Sequence, residues 1–410
     1  SLSKHLKTYA ITLMTFFTLV LSSCTNPSQE VSVIELNIDF VSHLTVNDTK
    51  LITVYSTKTD DTFTFISSNE SIITVNQMGW VHGVSIGEAT ITIISSSGKT
   101  IHHSITVIPV LYVESIQIQL ENSNTIYAGF PYAYHIHYDP EQAVNKQVRF
   151  SQSDPNVIID ELNQTITFIR AGKATLFAYL EDEWNIQSKI DVDVQYHQDT
   201  QIYDLLFIGN SLTKYTYDIP LMVKHMMEAE GHIVYIDYST NFQYLDQHEI
   251  NVNRLLSKQR YTHVILQEKS DGLITDLKRF EQSVSHYDAL IKANGAKTVL
   301  YQTWTYHLTD LEARQTMHDE ISLGYRSKAS EIDALISIVG DVFMEMIINH
   351  PEINLYADLN HPSLYGAYAS ALVHYKTITG KNVEDLNYRP TGISLEVESK
   401  LKGIVDMMIP

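Results

Sequence analysis

The stretch Asp204-Leu205-Leu206-Phe207-Ile208-Gly209-Asn210-Ser211-Leu212-Thr213 decides how the second half of the chain is read. Residues 204–208 are apolar after the first and do not alternate, the pattern of a strand buried on both faces. Gly209 then lets the backbone turn sharply. Asp218 and Pro220 open a helix that Gly231 stops, and Ile219, Val223, Met226 and Met227 make one apolar stripe along it. Apolar runs at 233–236, 263–266, 298–301 and 335–339 alternate with further helical stretches. Such alternation predicts an α/β domain over 199–410, a parallel sheet covered by helices on both faces, with its site beyond the carboxyl ends of the strands.

Ser211 stands at such an end. A hydroxyl there is presented at the sheet edge with backbone N–H groups near enough to receive an oxyanion, although a serine in this place also serves as a helix cap. The second glycine of Gly-x-Ser-x-Gly is missing, so the nucleophile elbow of the α/β-hydrolases does not fit. Near the far end of the domain, Asp358-Leu359-Asn360-His361-Pro362-Ser363 precedes a helix expected over 364–378 and ended near Gly380. A carboxylate at this spacing can reach the imidazole Nδ1 and fix its tautomer, leaving Nε2 to face a serine.

Gly209-Asn210-Ser211 after the first strand, together with Asp358-x-x-His361 before the last helix, resembles the SGNH (GDSL-like) hydrolase family over roughly residues 202–385. The resemblance implies a three-layer, flavodoxin-like fold and a serine esterase that needs no cofactor. It assigns Ser211 as nucleophile, His361 as general base and Asp358 as the group that orients it. In the family, the oxyanion is held by the serine N–H, a glycine N–H after the second strand and an asparagine side chain after the third. Here those segments read Tyr238-Ser239-Thr240-Asn241-Phe242-Gln243, with no glycine, and Leu266-Gln267-Glu268-Lys269-Ser270, with no Gly-x-Asn. Gln267, in a Leu-Gln-Glu segment that a subgroup of the family shares, and Asn241 or a backbone N–H beside it are the expected donors. Trp304 follows the fourth strand and is a candidate either for an apolar or sugar-stacking wall or for the core. Glu268 is open to two readings, a ligand for substrate hydroxyls or a solvated loop acid.

Upstream, β-branched and polar residues alternate in short runs between turn residues, as in Ala89-Thr90-Ile91-Thr92-Ile93, which predicts all-β sandwiches. Shifted by 85 residues, Phe65, Ser68, Ile73, Gly87, Ala89 and Thr90 fall on Phe150, Ser153, Ile158, Gly172, Ala174 and Thr175, so two copies of one module are expected, over 31–110 and 111–198. Phe65 through Val75 and Gly83 through Ile91 resemble the bacterial Ig-like group 2 module. That resemblance implies either a passive spacer or a module contacting cell wall, glycan or protein.

Lys4 and Lys7 precede an apolar stretch at 9–21 and then Leu21-Ser22-Ser23-Cys24. The apolar stretch is short for a membrane helix and suits a secretion signal. Its ending resembles a bacterial lipobox, which implies cleavage after residue 23, lipid attachment at Cys24, a linker over 24–30 and an extracytoplasmic protein held to the membrane only by its lipid. Cys24 is the one cysteine, so neither an intramolecular disulfide nor a Cys-based metal site can form. Acidic residues outnumber basic ones 48 to 28, a net charge of -20 that repels phosphate backbones and argues against nucleic acid as a partner. No phosphate-binding, dinucleotide or zinc-protease motif occurs, and no metal or cofactor is expected. The sequence therefore predicts a surface esterase removing O-acetyl or short acyl groups, first of all from carbohydrate. The alternative is a non-catalytic surface adhesion protein with an inactive SGNH domain.

Overall fold

The computed structural model describes residues 33–121, 124–151 and 154–410. The signal expected over 1–23, Cys24, the linker and Ser153 of the repeat lie outside them. The chain divides into two compact units between Leu111 and Tyr112.

The first unit holds β1 (Leu36–Asp39), β2 (His43–Thr45), β3 (Thr49–Leu51), β4 (Thr53–Ser56), β5 (Phe63–Ser67), β6 (Ile73–Val75), β7 (Trp80–Gly83), β8 (Gly87–Ser95) and β9 (Thr100–Ile108). One sheet runs β2-β9-β8-β5, another β3-β7-β6, and β1 pairs with β4. Every second residue of β8 points inward, so Ala89, Ile91 and Ile93 meet Ile73 and Val81 in one buried core.

The second unit opens with β10 (Ser115–Leu120), β11 (Ile126–Tyr127), β12 (Pro131–Asp139), β13 (Val148–Phe150), β14 (Val157–Asp160), β15 (Thr165–Phe168), β16 (Gly172–Leu180) and β17 (Gln187–Gln195). Its sheet β11-β17-β16-β13 repeats the order β2-β9-β8-β5 of the first sandwich. Phe65 pairs with Ile93 and Phe150 with Ala178, one register displaced by the repeat. Gly87 and Gly172 both have positive φ, +152° and +129°, which explains glycine at the head of each long strand. One expected equivalence is corrected: Phe168 faces Val157, whereas the 85-residue shift would set it against Ile158. This one-residue slip exchanges inward and outward faces, leaving Ile73 fully buried but Ile158 55% exposed.

The α/β part follows: β18 (Ile202–Ile208), α1 (Ile219–Ala229), β19 (Ile233–Ser239), a 3-10 turn (Leu245–His248), α2 (Glu249–Lys258), β20 (His263–Leu266), α3 (Gly272–Thr275), α4 (Leu277–Asn294), β21 (Lys297–Tyr301), α5 (Leu311–Ile332), β22 (Leu335–Ser337), α6 (Val339–Asn349), α7 (Leu364–Thr379) and α8 (Leu395–Met408). The strands are parallel in the order β19-β18-β20-β21-β22. Leu205 and Phe207 pack into a cluster with α1, α6, α7 and α8, while Leu206 and Ile208 pack into one with α4 and α5, so the sheet is the middle of three layers. The run 335–339 is strand only to Ser337, and Val339 already begins α6. A short apolar run does not distinguish a strand from a buried helix start, and Val339, Val342, Phe343 and Met346 are all buried. Strand order reverses beside β18, so a crevice opens where its carboxyl end meets the neighbouring loops.

The second sandwich is joined closely to this domain. Ile202 belongs to the sandwich core, and Arg170 reaches two carboxylates on the sheet, Asp204 of β18 and Asp237 of β19.

Candidate active site

β18 delivers the chain into a turn tied down at nearly every step. Gly209 N–H donates to the Ser239 carbonyl at 3.0 Å, Leu212 N–H to Asn210 Oδ1 at 2.9 Å and Thr213 N–H to the Asn210 carbonyl at 2.9 Å. Gln267, from the end of β20, accepts at one oxygen both the Asn210 N–H, at 3.0 Å, and the Thr213 hydroxyl, at 2.7 Å. A Cβ on Gly209 would lie 2.4 Å from that oxygen and 2.5 Å from Thr213 Oγ1, so only glycine fits the turn. Among the described residues no acceptor takes the Ser211 N–H. That donor stays open at the sheet edge.

The turn and the Asp-x-x-His loop meet across 150 residues of sequence, with Ser211 Oγ 2.9 Å from His361 Nε2. His361 Nδ1 lies 2.8 Å from Asp358 Oδ2. Asp358 Oδ1 accepts the backbone N–H groups of His361, at 2.8 Å, and Asn360, at 3.0 Å. Those two bonds, the His361 amide first, with the imidazole adding to them, hold the Asp358 carboxyl down to about 2. It is therefore an anion throughout the neutral range and keeps the Nδ1 proton on its own side of the ring. The loop is braced from the segment after β21, where Trp304 Nε1 donates to the Asn360 carbonyl at 2.8 Å and His307 N–H to the Leu359 carbonyl at 2.7 Å. Ser363 then caps α7 by accepting the Gly366 N–H.

Three expectations are corrected. Gln267 is 1% exposed and its amide hydrogens go to Asn210 Oδ1 and the Glu268 carbonyl, leaving none for an oxyanion. It staples the serine turn instead. Trp304 is equally buried and stacks on Phe343 at 4.4 Å between centroids, so it supports the His361 loop and forms no substrate wall. Glu268 is neither solvated nor a surface ligand: one oxygen accepts the Leu245 and Lys269 N–H groups, and burial raises its carboxyl. Asn241 is exposed on the loop after β19. That loop is drawn against the serine turn by Asn210 Nδ2, which donates to the Gln243 carbonyl.

Two residues at the site carry roles that the sequence left unassigned. Asn210 is the hub of the turn, a role its place beside Ser211 hints at. Tyr215 stacks on the His361 ring, centroids 4.6 Å apart and planes 26° from parallel. The sequence marks it only as an aromatic four residues after the serine. Among the described residues no group of three or more His, Cys, Asp or Glu is arranged to hold a metal ion.

Comparison with known proteins gives two kinds of match. The bacterial Ig-like domain (group 2) family matches residues 45–102. Similar solved structures include a Slackia heliotrinireducens protein assigned to the SGNH hydrolases, 25% identical, covering 43% of this chain and 99% of that one with a TM-score of 0.38. A DUF4886 family protein from Bacteroides uniformis is 17% identical over 51% of this chain and 95% of its own, TM-score 0.43. An acetylxylan esterase from Geobacillus stearothermophilus is 16% identical over 43% of this chain and 94% of its own, TM-score 0.35. No curated protein matches the chain in sequence.

Proposed function

We propose that this chain is a serine esterase that removes acetyl or other short acyl groups from carbohydrate outside the cell. The reading is carried by one observation, the continuous run of hydrogen-bond distances from Ser211 Oγ through His361 to Asp358. In the proposed reaction, Nε2 takes the Ser211 proton as Oγ attacks the ester carbonyl. The Ser211 N–H, open at the turn, receives the oxyanion, with Asn241 or a backbone N–H of its loop as a further donor. Collapse breaks the ester C–O bond, and the imidazolium returns its proton to the departing alkoxide. Water, deprotonated by the same nitrogen, then releases the acid and restores the serine. Asp358 stabilises the imidazolium at both stages.

Placement outside the cell rests on the lipobox-like ending at Cys24. With residues 31–110 and 111–198 as Ig-like modules, the enzyme would be carried on a lipid-anchored stalk, and surface glycans become the acyl carriers within reach. The test is release of the carboxylic acid from acetylated polysaccharides and short acyl esters by the full chain. Release that falls off as the acyl chain lengthens is expected. Acid release no faster than in buffer from every ester would contradict the reading and leave the adhesion alternative.

A further inference from the structure

The aromatic ring against the imidazole has a defined chemical place. In acyl transfer, Nε2 must protonate the leaving alkoxide, so the alcohol half of the ester sits beside His361 at departure while the acyl half sits toward the oxyanion donors. A side chain packed on the His361 ring therefore borders the alcohol subsite. Tyr215 is that side chain, and it is 67% exposed although one face is covered by the imidazole. Its remaining surface is open to solvent.

Tyr215 is also held in place. Its N–H bonds to the Tyr217 carbonyl at 3.3 Å, and Lys214 beside it donates its N–H to the Asn210 carbonyl and sets its ammonium 3.3 Å from Asp218. Asp218 in turn caps α1 by accepting the Leu221 N–H. The ring thus sits on a short turn pinned at both ends, losing little conformational freedom when a ligand lands on it. Its chemistry is amphipathic, an apolar face with a hydroxyl at the rim, which suits the C–H face of a pyranose whose own hydroxyls stay in water.

We propose that Tyr215 is the specificity-determining residue of the alcohol subsite and that it stacks on a sugar ring bearing the ester. The inference rests on the esterase reading and narrows it to carbohydrate carriers. The competing role is mere support of His361, and the two separate by substrate. With the full chain, Tyr215→Ala lowers kcat/KM at least about tenfold more on an acetylated xylo-oligosaccharide, mostly through KM, than on trifluoroethyl acetate, an activated ester without a ring. Tyr215→Phe and Tyr215→Trp keep most activity on both. Equal losses on both esters with Tyr215→Ala, or none on the sugar ester, would overturn the proposal. A binding arm stands apart from catalysis. The deacetylated oligosaccharide shifts NMR signals of the full chain in Ser211→Ala but not in Tyr215→Ala. If neither ester is turned over, the esterase reading falls, and sugar binding that is absent or indifferent to Tyr215 sinks the stacking role as well.

Discussion

Ser211→Ala is expected to lower p-nitrophenyl acetate turnover by about 10^4-fold to 10^6-fold, the range seen when a nucleophile that works as one unit with its base is removed. Any burst of nitrophenol should vanish with it, because no acyl-enzyme forms. The folded chain should hardly notice. Among the described residues the Ser211 hydroxyl hydrogen-bonds to His361, whereas the turn is held by Gly209, Asn210, Thr213 and Gln267, so stability should stay within about 0.5 kcal/mol. Steady-state kinetics beside thermal unfolding checks both halves. Equal rates in the two proteins would mean that hydrolysis, if any, happens elsewhere.

Arg170→Ala should cost the second unit about 3–5 kcal/mol, the usual result of removing one partner from a buried ion pair. Arg170 donates to both oxygens of Asp204, at 2.8 and 3.0 Å, and to Asp237 at 2.6 Å. Asp204 is entirely buried, and burial raises its carboxyl while the guanidinium and the Tyr196 hydroxyl oppose that shift. Without Arg170, two carboxylates on neighbouring strands, that of Asp204 fully buried, would face each other with no cation between them. The two parts approach closely beside it, where a Cβ on Gly172 would lie 2.6 Å from the Lys258 carbonyl. Arg260 offers the control: it also grips Asp193 with two bonds, but the pair is more exposed, and Arg260→Ala should cost only about 0–1 kcal/mol. Hydrogen exchange across β16–β19, with unfolding midpoints, reads the difference. Similar values for the two variants would show that the Arg170 pair contributes no more than a surface bridge.

How far the sequence reached follows from which interactions are local. Buried parallel strands write themselves as unbroken apolar runs, so β18 to β21 could be read directly, and the repeat of Phe65 at Phe150 and of Gly87 at Gly172 exposed the paired sandwiches. Ser211, Asp358 and His361 could be nominated because Gly209-Asn210-Ser211 and Asp358-x-x-His361 together resemble one family's motifs, where a serine after a strand alone reads equally as a helix cap. Their meeting could not be read, because it depends on β18 and α7 being brought together by the sheet. Gln267 and Trp304 were legible as residues at strand ends but not as supports: whether an amide or an indole faces a ligand or a neighbouring carbonyl is settled only by tertiary packing. Ile158 misled because a one-residue slip leaves composition unchanged while exchanging faces. Arg170 carried no signal, since its partners lie 34 and 67 residues away.

Covalent capture tests the central claim most directly. Incubated with a fluorophosphonate, the native chain should take up a single adduct that peptide mapping places on Ser211, and His361→Ala should take it up far more slowly. A chain that remains unlabelled, or one modified at another serine, would contradict the assignment of Ser211 as an activated nucleophile.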